Sequence, residues 1–354
     1  MRKTHFAAIV EPHKAQTFEG EIGDIGPEEL LIKMQICNIC TNDYQQWLGL
    51  RNHQGFPMAG GHEWSGIILE KGSKVIDDFQ VGDQVGMGIA GCGCCDNCRR
   101  GIQSDCTTLA KNKGGMTVMV NGFYGQHGFV DYKIINQREV YKISNDISPV
   151  EAGFLEPVST AVQGNKHANV HTLEDVVVVG AGPMGIINAQ VAHAYGARVI
   201  ISDISPKKLE RARSMGFADV IDGKDDPVKA VKQLTGGKGA DTVICAVGST
   251  VAYKQAYDML KMFRGKMLMF ASGYPKPELN LDPNEIHSRR IEIIGTLISN
   301  SSDYVDTAKM ISSRMIDCKY ALEGKTFPLR DIQAAYEAAT TQDAYRISVD
   351  LQDV

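Results

Sequence analysis

Val176-Val177-Val178-Val179 runs straight into Gly180-Ala181-Gly182-Pro183-Met184-Gly185, and this junction limits the possible folds more than any other stretch. A continuous apolar run predicts a strand buried on both faces, so Asp175–Val179 reads as part of a parallel sheet covered by helices. Glycine-rich hexapeptides arise by chance in a chain with 36 glycines. The strand before this one and the helical stretch after it, Met184 to Tyr195, give it meaning as a Gly-x-Gly-x-x-Gly loop. The first glycine allows the tight turn, the second admits a pyrophosphate, and the third lets helix and strand pack closely. The free N–H groups of the helix N-terminus face the phosphates.

The alternation continues. Arg198–Ser202 reads as the next strand, ending in Asp203; Pro206 opens a helix that stops at Gly216. Further strands read at Asp241–Val247, Lys266–Ala271 and Arg290–Ile294. The pattern predicts a doubly wound α/β sheet of the Rossmann type. Asp203 lies 23 residues after Gly180, where a carboxylate accepts hydrogen bonds from the adenosine ribose and repels a 2′-phosphate. Ile204 follows it rather than a basic residue, so the expected cofactor is NAD.

The first part of the chain has a different rhythm. Short apolar runs broken by glycine, such as Leu30-Leu31-Ile32 and Gly66-Ile67-Ile68-Leu69, predict a mainly β domain. After Gly295 helical segments read near Asp303–Arg314 and Leu329–Thr340. A length of 354 residues suits two domains. Hydrophobic residues at 43% and charged residues at 22% exclude a disordered chain, and a net charge of −5 argues against nucleic acid as a partner. No stretch approaches the roughly 18–20 apolar residues of a membrane span, and Met1 to Gly20 does not read as a signal peptide. The expected compartment is the cytoplasm, where thiols stay reduced, so the nine cysteines suggest metal rather than disulfides.

Cys92-x2-Cys95-x2-Cys98-x7-Cys106 places four thiols within 15 residues, a spacing that can close a tetrahedral zinc site with no open position. Such a site is structural. Arg99 and Arg100 stand where they can offset its negative charge, and Gly91, Gly93 and Gly101 supply turns. Cys94 fits no regular spacing and reads as a free thiol beside the site; Cys37, Cys245 and Cys318 read as packed small hydrophobes. A second constellation, Cys40 with the pair His62-Glu63, is ambiguous by residue type alone.

Gly61-His62-Glu63-x2-Gly66-x5-Gly72-x2-Val75 resembles the zinc signature of the zinc-containing alcohol dehydrogenases of the medium-chain dehydrogenase/reductase superfamily. The four-cysteine spacing and the dinucleotide loop follow in the order that family has, and Leu155-Glu156-Pro157-Val158-Ser159-Thr160 is similar to its sorbitol-type and threonine dehydrogenase branches. The resemblance implies a GroES-like catalytic domain at 1–155 with a zinc lobe at 91–106, a Rossmann domain at 156–297, and a segment 298–354 returning to the catalytic domain. It implies a catalytic zinc in the cleft between domains, held by Cys40, His62 and Glu63 and reached by Glu156 directly or through water. Asp43 matches the carboxylate that orients the histidine. Thr160 matches a residue near the nicotinamide, Lys208 one near the adenosine ribose, and Gly248 one that lines the cofactor. The implied activity is hydride transfer between a secondary alcohol, a polyol or another small polar alcohol, and NAD, in a homo-oligomer.

Two departures bear on specificity. Asn42 and Gln45 stand where many relatives carry a hydroxyl and a histidine that relay the substrate proton, and neither amide exchanges a proton at neutral pH. The expectation is that Glu63 or Glu156 takes the proton, leaving Asn42 to hydrogen-bond the substrate. Ile298 occupies the place of a polyol-contacting arginine, and Gln46 replaces an aromatic. The polar stretch Gln45-Gln46-Trp47-x3-Arg51-Asn52-His53 suggests a small polar, anionic alcohol with Arg51 or His53 as counter-charge, or else a solvated loop. A threonine-type amino-alcohol dehydrogenase and a non-catalytic nucleotide-binding relative are the alternatives.

Overall fold

The computed structural model describes residues 2–51, 55–111 and 118–354, and Asn52 and His53 of the polar stretch lie outside them. The chain divides into two compact units, Met1–Ser159 with Ile298–Val354, and Thr160–Leu297. The boundary falls within the helix Leu155–His167. No helix among the described residues is long and apolar enough to cross a membrane.

The first unit is built on two β-sheets. One, of five strands, includes the antiparallel pair Arg2–Glu11 and Lys14–Ile22. The other has seven, and its centre positions the candidate metal ligands. Glu29–Asn38 is its middle strand, pairing antiparallel with Glu63–Lys71 on one side and with Arg346–Asp350 on the other. In that register Asn38 faces both Glu63 and Ser348. Three segments distant in sequence therefore finish at one end of the sheet. The core beneath is apolar, with Trp64, Phe129 and Tyr336 almost completely buried.

The C-terminal strands were not legible from local pattern. Leu322–Pro328 carries Glu323, Lys325 and a glycine, and it pairs parallel with Arg346–Asp350. The expected helix Leu329–Thr340 is a 3₁₀ turn, Leu329–Asp331, followed by the helix Ile332–Ala339.

The second unit is a parallel sheet in the order Asp219–Asp222, Arg198–Asp203, Asp175–Val179, Thr242–Cys245, Lys266–Met269, Glu292–Gly295. This order reverses direction at Asp175–Val179, which puts a crevice at the carboxyl end of that strand, where dinucleotides bind in such folds. Asp219–Asp222 escapes a hydrophobicity reading because two of its four residues are aspartates.

Candidate metal centres and cofactor site

The dinucleotide loop shows why its three glycines are needed. Gly180 has φ +100°, a conformation that a side chain resists. A Cβ on Gly182 would meet nothing within 4 Å, leaving space for a ligand, whereas one on Gly185 would lie 1.7 Å from the Gly180 carbonyl oxygen. Pro183 opens the helix Pro183–Ala194, with Met184 next to it. Asp203 ends its strand and is fixed by backbone donors: the Ala181 N–H reaches Oδ2 at 2.6 Å and the Ser205 N–H reaches Oδ1 at 2.8 Å. Lys208 sits on the following helix, Pro206–Ser214. Gly248 packs on Gly273, whose nitrogen a Cβ at 248 would approach to 2.4 Å. Thr160, the last of the cofactor candidates, lies on Leu155–His167.

In the lobe, the ligand atoms of Cys92, Cys95, Cys98 and Cys106 lie within 4.8 Å of one another. Sulfurs at the corners of a tetrahedron about zinc, with Zn–S near 2.3 Å, would be about 3.8 Å apart. The Cys92–Cys98 and Cys95–Cys106 separations are both 4.0 Å, close to that figure. Cys95 caps the short helix Asp96–Arg99, which carries Cys98. Cys94, beside the cage, is exposed and unbridged, whereas Cys37, Cys245 and Cys318 are buried and unbridged.

The second group is Cys40, His62 and Glu63, all buried, with ligand atoms within 4.8 Å of one another. The strand Glu29–Asn38 delivers Cys40 to the N-cap of the helix Thr41–Trp47, while His62 and Glu63 enter the neighbouring strand. Asp43 ties these parts together. Its Oδ2 accepts the Cys40 N–H and its Oδ1 accepts the Gly61 N–H, each at 3.1 Å. Its distance to His62 Nδ1 is 3.7 Å, an ion-pair contact rather than a hydrogen bond. Asp43 thus positions His62 chiefly through the backbone on either side of the site.

The residue that sequence reasoning missed is Arg346. Its Nε and Nη2 donate to Glu63 Oε2 and Oε1 at 2.9 and 2.8 Å, and Nη2 lies 3.6 Å from Cys40 Sγ. Both partners are buried, with side chains 4% and 0% exposed. Arg346 opens a short alternating strand, Arg-Ile-Ser-Val-Asp, and nothing in its local sequence marks it as a site residue.

Glu156, on the first turn of Leu155–His167, is buried but stands outside the three-residue group. Burial lifts its carboxyl to about 7, against the pull of His62. Burial and the charge of Glu63 likewise push the Cys40 thiol up. Burial opposes charge on His62, yet Cys40 and Asp43 hold its imidazole well above the ordinary value. Burial thus favours the protonated thiol and carboxyl, and the neighbouring anions favour a protonated imidazole. A divalent cation there would displace those protons, so the donor set fits zinc.

Beside the trio, Asn42 accepts a hydrogen bond from Arg51 Nη1. Gln46 is buried and donates to the Gly55 carbonyl at 3.2 Å, so its amide braces the loop. Gln45 Oε1 is buried and has no hydrogen-bond partner among the described residues. Ile298 packs against the apolar core of the first unit.

Comparison with known proteins shows the family and the fold. Residues 26–145 match the model of the alcohol dehydrogenase GroES-like domain, and residues 183–313 match that of the zinc-binding dehydrogenases. An L-threonine 3-dehydrogenase from Alteromonas mediterranea is 32% identical over 77% of each chain. A sorbitol dehydrogenase from Bacillus subtilis is 28% identical over 90% of this chain and 88% of its own. A zinc-binding dehydrogenase from Sinorhizobium meliloti, solved with NADP, has the same fold, with a TM-score of 0.86, 22% identity, and coverage of 99% of this chain and 100% of its own.

Proposed function

The chain belongs to the zinc-dependent alcohol dehydrogenases of the medium-chain family, and from that premise we propose that it oxidises a small, anionic secondary alcohol with NAD. The observation that carries the reading is the buried Cys40–His62–Glu63 trio, a donor set with the residue types of a catalytic zinc site. Zinc supplies a Lewis acid that makes a hydroxyl easier to deprotonate, and NAD accepts the hydride.

The protein's own residues do the rest. Cys40, His62 and Glu63 would present one thiolate, one imidazole and one carboxylate to the metal, and Asp43 fixes the backbone at Cys40 and at Gly61, next to His62. Both oxygens of Glu63 already accept from Arg346 and the same carboxylate faces the metal site, so Glu63 is committed to holding the centre. That leaves Glu156, buried in the same unit, as the acceptor. Asp203 favours NAD over its 2′-phosphorylated form.

One feature supports an anionic alcohol: Arg51 donates to Asn42, two residues beyond Cys40, which sets a cation at the start of the helix Thr41–Trp47 that Cys40 caps. The threonine-type reading draws on the 32% identity to L-threonine 3-dehydrogenases, and Arg51 would serve that carboxylate equally. The test is a panel of neutral polyols, hydroxy-acid anions and L-threonine, followed by NADH absorbance. Arg51→Met is expected to raise KM for the anionic substrates about 10- to 100-fold, as expected for loss of a charge-assisted hydrogen bond, and to spare neutral ones. Equal effects on both classes would remove Arg51 from substrate recognition.

A homo-oligomer is part of the proposal. The edge strand Glu292–Gly295 is largely exposed, Leu297 beyond it is 78% exposed, and an open edge of this kind is a template for a second copy. Nine unbridged cysteines fit a reducing compartment, the cytoplasm.

A further inference from the structure

The fifth thiol of the lobe is placed to do more than fill space. Gly93, at φ +75°, turns the chain between Cys92 and Cys94 and brings their sulfurs to 3.6 Å, closer than the 4.0 Å of the Cys92–Cys98 and Cys95–Cys106 pairs. Cys94 is exposed and Cys92 half-buried, whereas Cys98 and Cys106 are buried. The lobe therefore has one wet edge, at Cys92–Cys94, and an inner side that an oxidant cannot reach directly. Cys92 is shared: it belongs to the four-sulfur cage and also touches the thiol outside it.

We propose that Cys92 and Cys94 form an oxidative modification site: a peroxide converts them to a disulfide and thereby opens the zinc cage. Sulfur of Cys94 attacks a peroxide oxygen, the O–O bond breaks, and Cys94 becomes a sulfenic acid as water or an alcohol leaves. Sulfur of Cys92 then attacks Cys94, the S–S bond forms, and hydroxide departs with the remaining thiol proton as water. In total two sulfurs give up two electrons to one peroxide. Closing the pair from 3.6 Å to a bond length of about 2 Å takes Cys92 out of the cage, which keeps only Cys95, Cys98 and Cys106. Three thiolates hold zinc more weakly than four, so the ion is lost until a reductant restores Cys92.

The test uses the purified holoenzyme, hydrogen peroxide, a chromogenic zinc chelator and peptide mass spectrometry. Wild type is expected to release one zinc per chain and to yield a Cys92–Cys94 peptide lighter by two hydrogens, with reductant and zinc reversing both changes. Cys94→Ser and Cys94→Ala should each release that zinc at least about 10-fold more slowly, because no exposed thiol remains to take the first oxidation. Release from the catalytic trio is separated by repeating the titration in His62→Ala, which would retain only the lobe ion. Equal release rates in wild type and both Cys94 variants would overturn the proposal. So would a disulfide mapped to Cys95–Cys106, or zinc loss with Cys94 unmodified.

Discussion

His62→Ala is expected to lower turnover by about a thousandfold or more, because Lewis-acid stabilisation is worth several kcal/mol and each 1.36 kcal/mol is a factor of ten. The same change removes one of three protein ligands, so bound zinc should fall from two ions per chain to one. NADH binding should survive, since every glycine of the dinucleotide loop and Asp203 lie in the other compact unit. Steady-state rates, metal analysis and an NADH fluorescence titration read the three effects separately. Turnover within tenfold of wild type, at one zinc per chain, would mean that the trio is not the catalytic centre.

Arg346→Met carries the second large effect. Methionine keeps much of the volume but leaves Glu63 as a buried carboxylate without its two donors, next to Cys40. Breaking a buried pair from one side costs about 3–5 kcal/mol, because the abandoned charge stays desolvated. A bound cation offsets part of that cost, so the lower end, about 3 kcal/mol, is the expected loss for the metal-loaded protein. Arg346→Lys keeps the charge but not the two-pronged contact, and should be intermediate. The double variant Arg346→Met with Glu63→Gln should recover much of the stability without recovering activity. Denaturant melts of wild type, Arg346→Met, Glu63→Gln and the double variant form a double-mutant cycle. If the double variant is as unstable as the sum of the singles, the pair is not coupled and the ion-pair account of this position fails.

The contrast between these two residues shows what a sequence can convey. His62 was readable because its neighbours carry the pattern: glycines at 61, 66 and 72 surround a His-Glu pair within one short segment. The four lobe cysteines and the Gly180–Gly185 loop are legible for the same reason, as their chemistry is local. Arg346 meets Glu63 across 283 residues, by strand pairing that depends on register rather than on any motif. The second unit was readable strand by strand where apolar runs were continuous, and failed at Asp219–Asp222, whose aspartates break the run. Asp43 was recognised as a partner of the site, but its main work, bridging the backbone at Cys40 and Gly61, needed the fold to be seen. Glu63 as proton acceptor was a sound expectation from residue type, and the Arg346 fork is what counts against it.

The central claim is that Cys40, His62 and Glu63 hold a zinc ion distinct from the one in the cysteine lobe. Anomalous diffraction from crystals of the purified protein, collected on both sides of the zinc absorption edge, tests it most directly. The account predicts two anomalous peaks per chain, one inside the Cys92–Cys95–Cys98–Cys106 cage and one within bonding distance of Cys40 Sγ and a His62 ring nitrogen. A full peak in the cage with none at the trio, in crystals grown with zinc present, would contradict it.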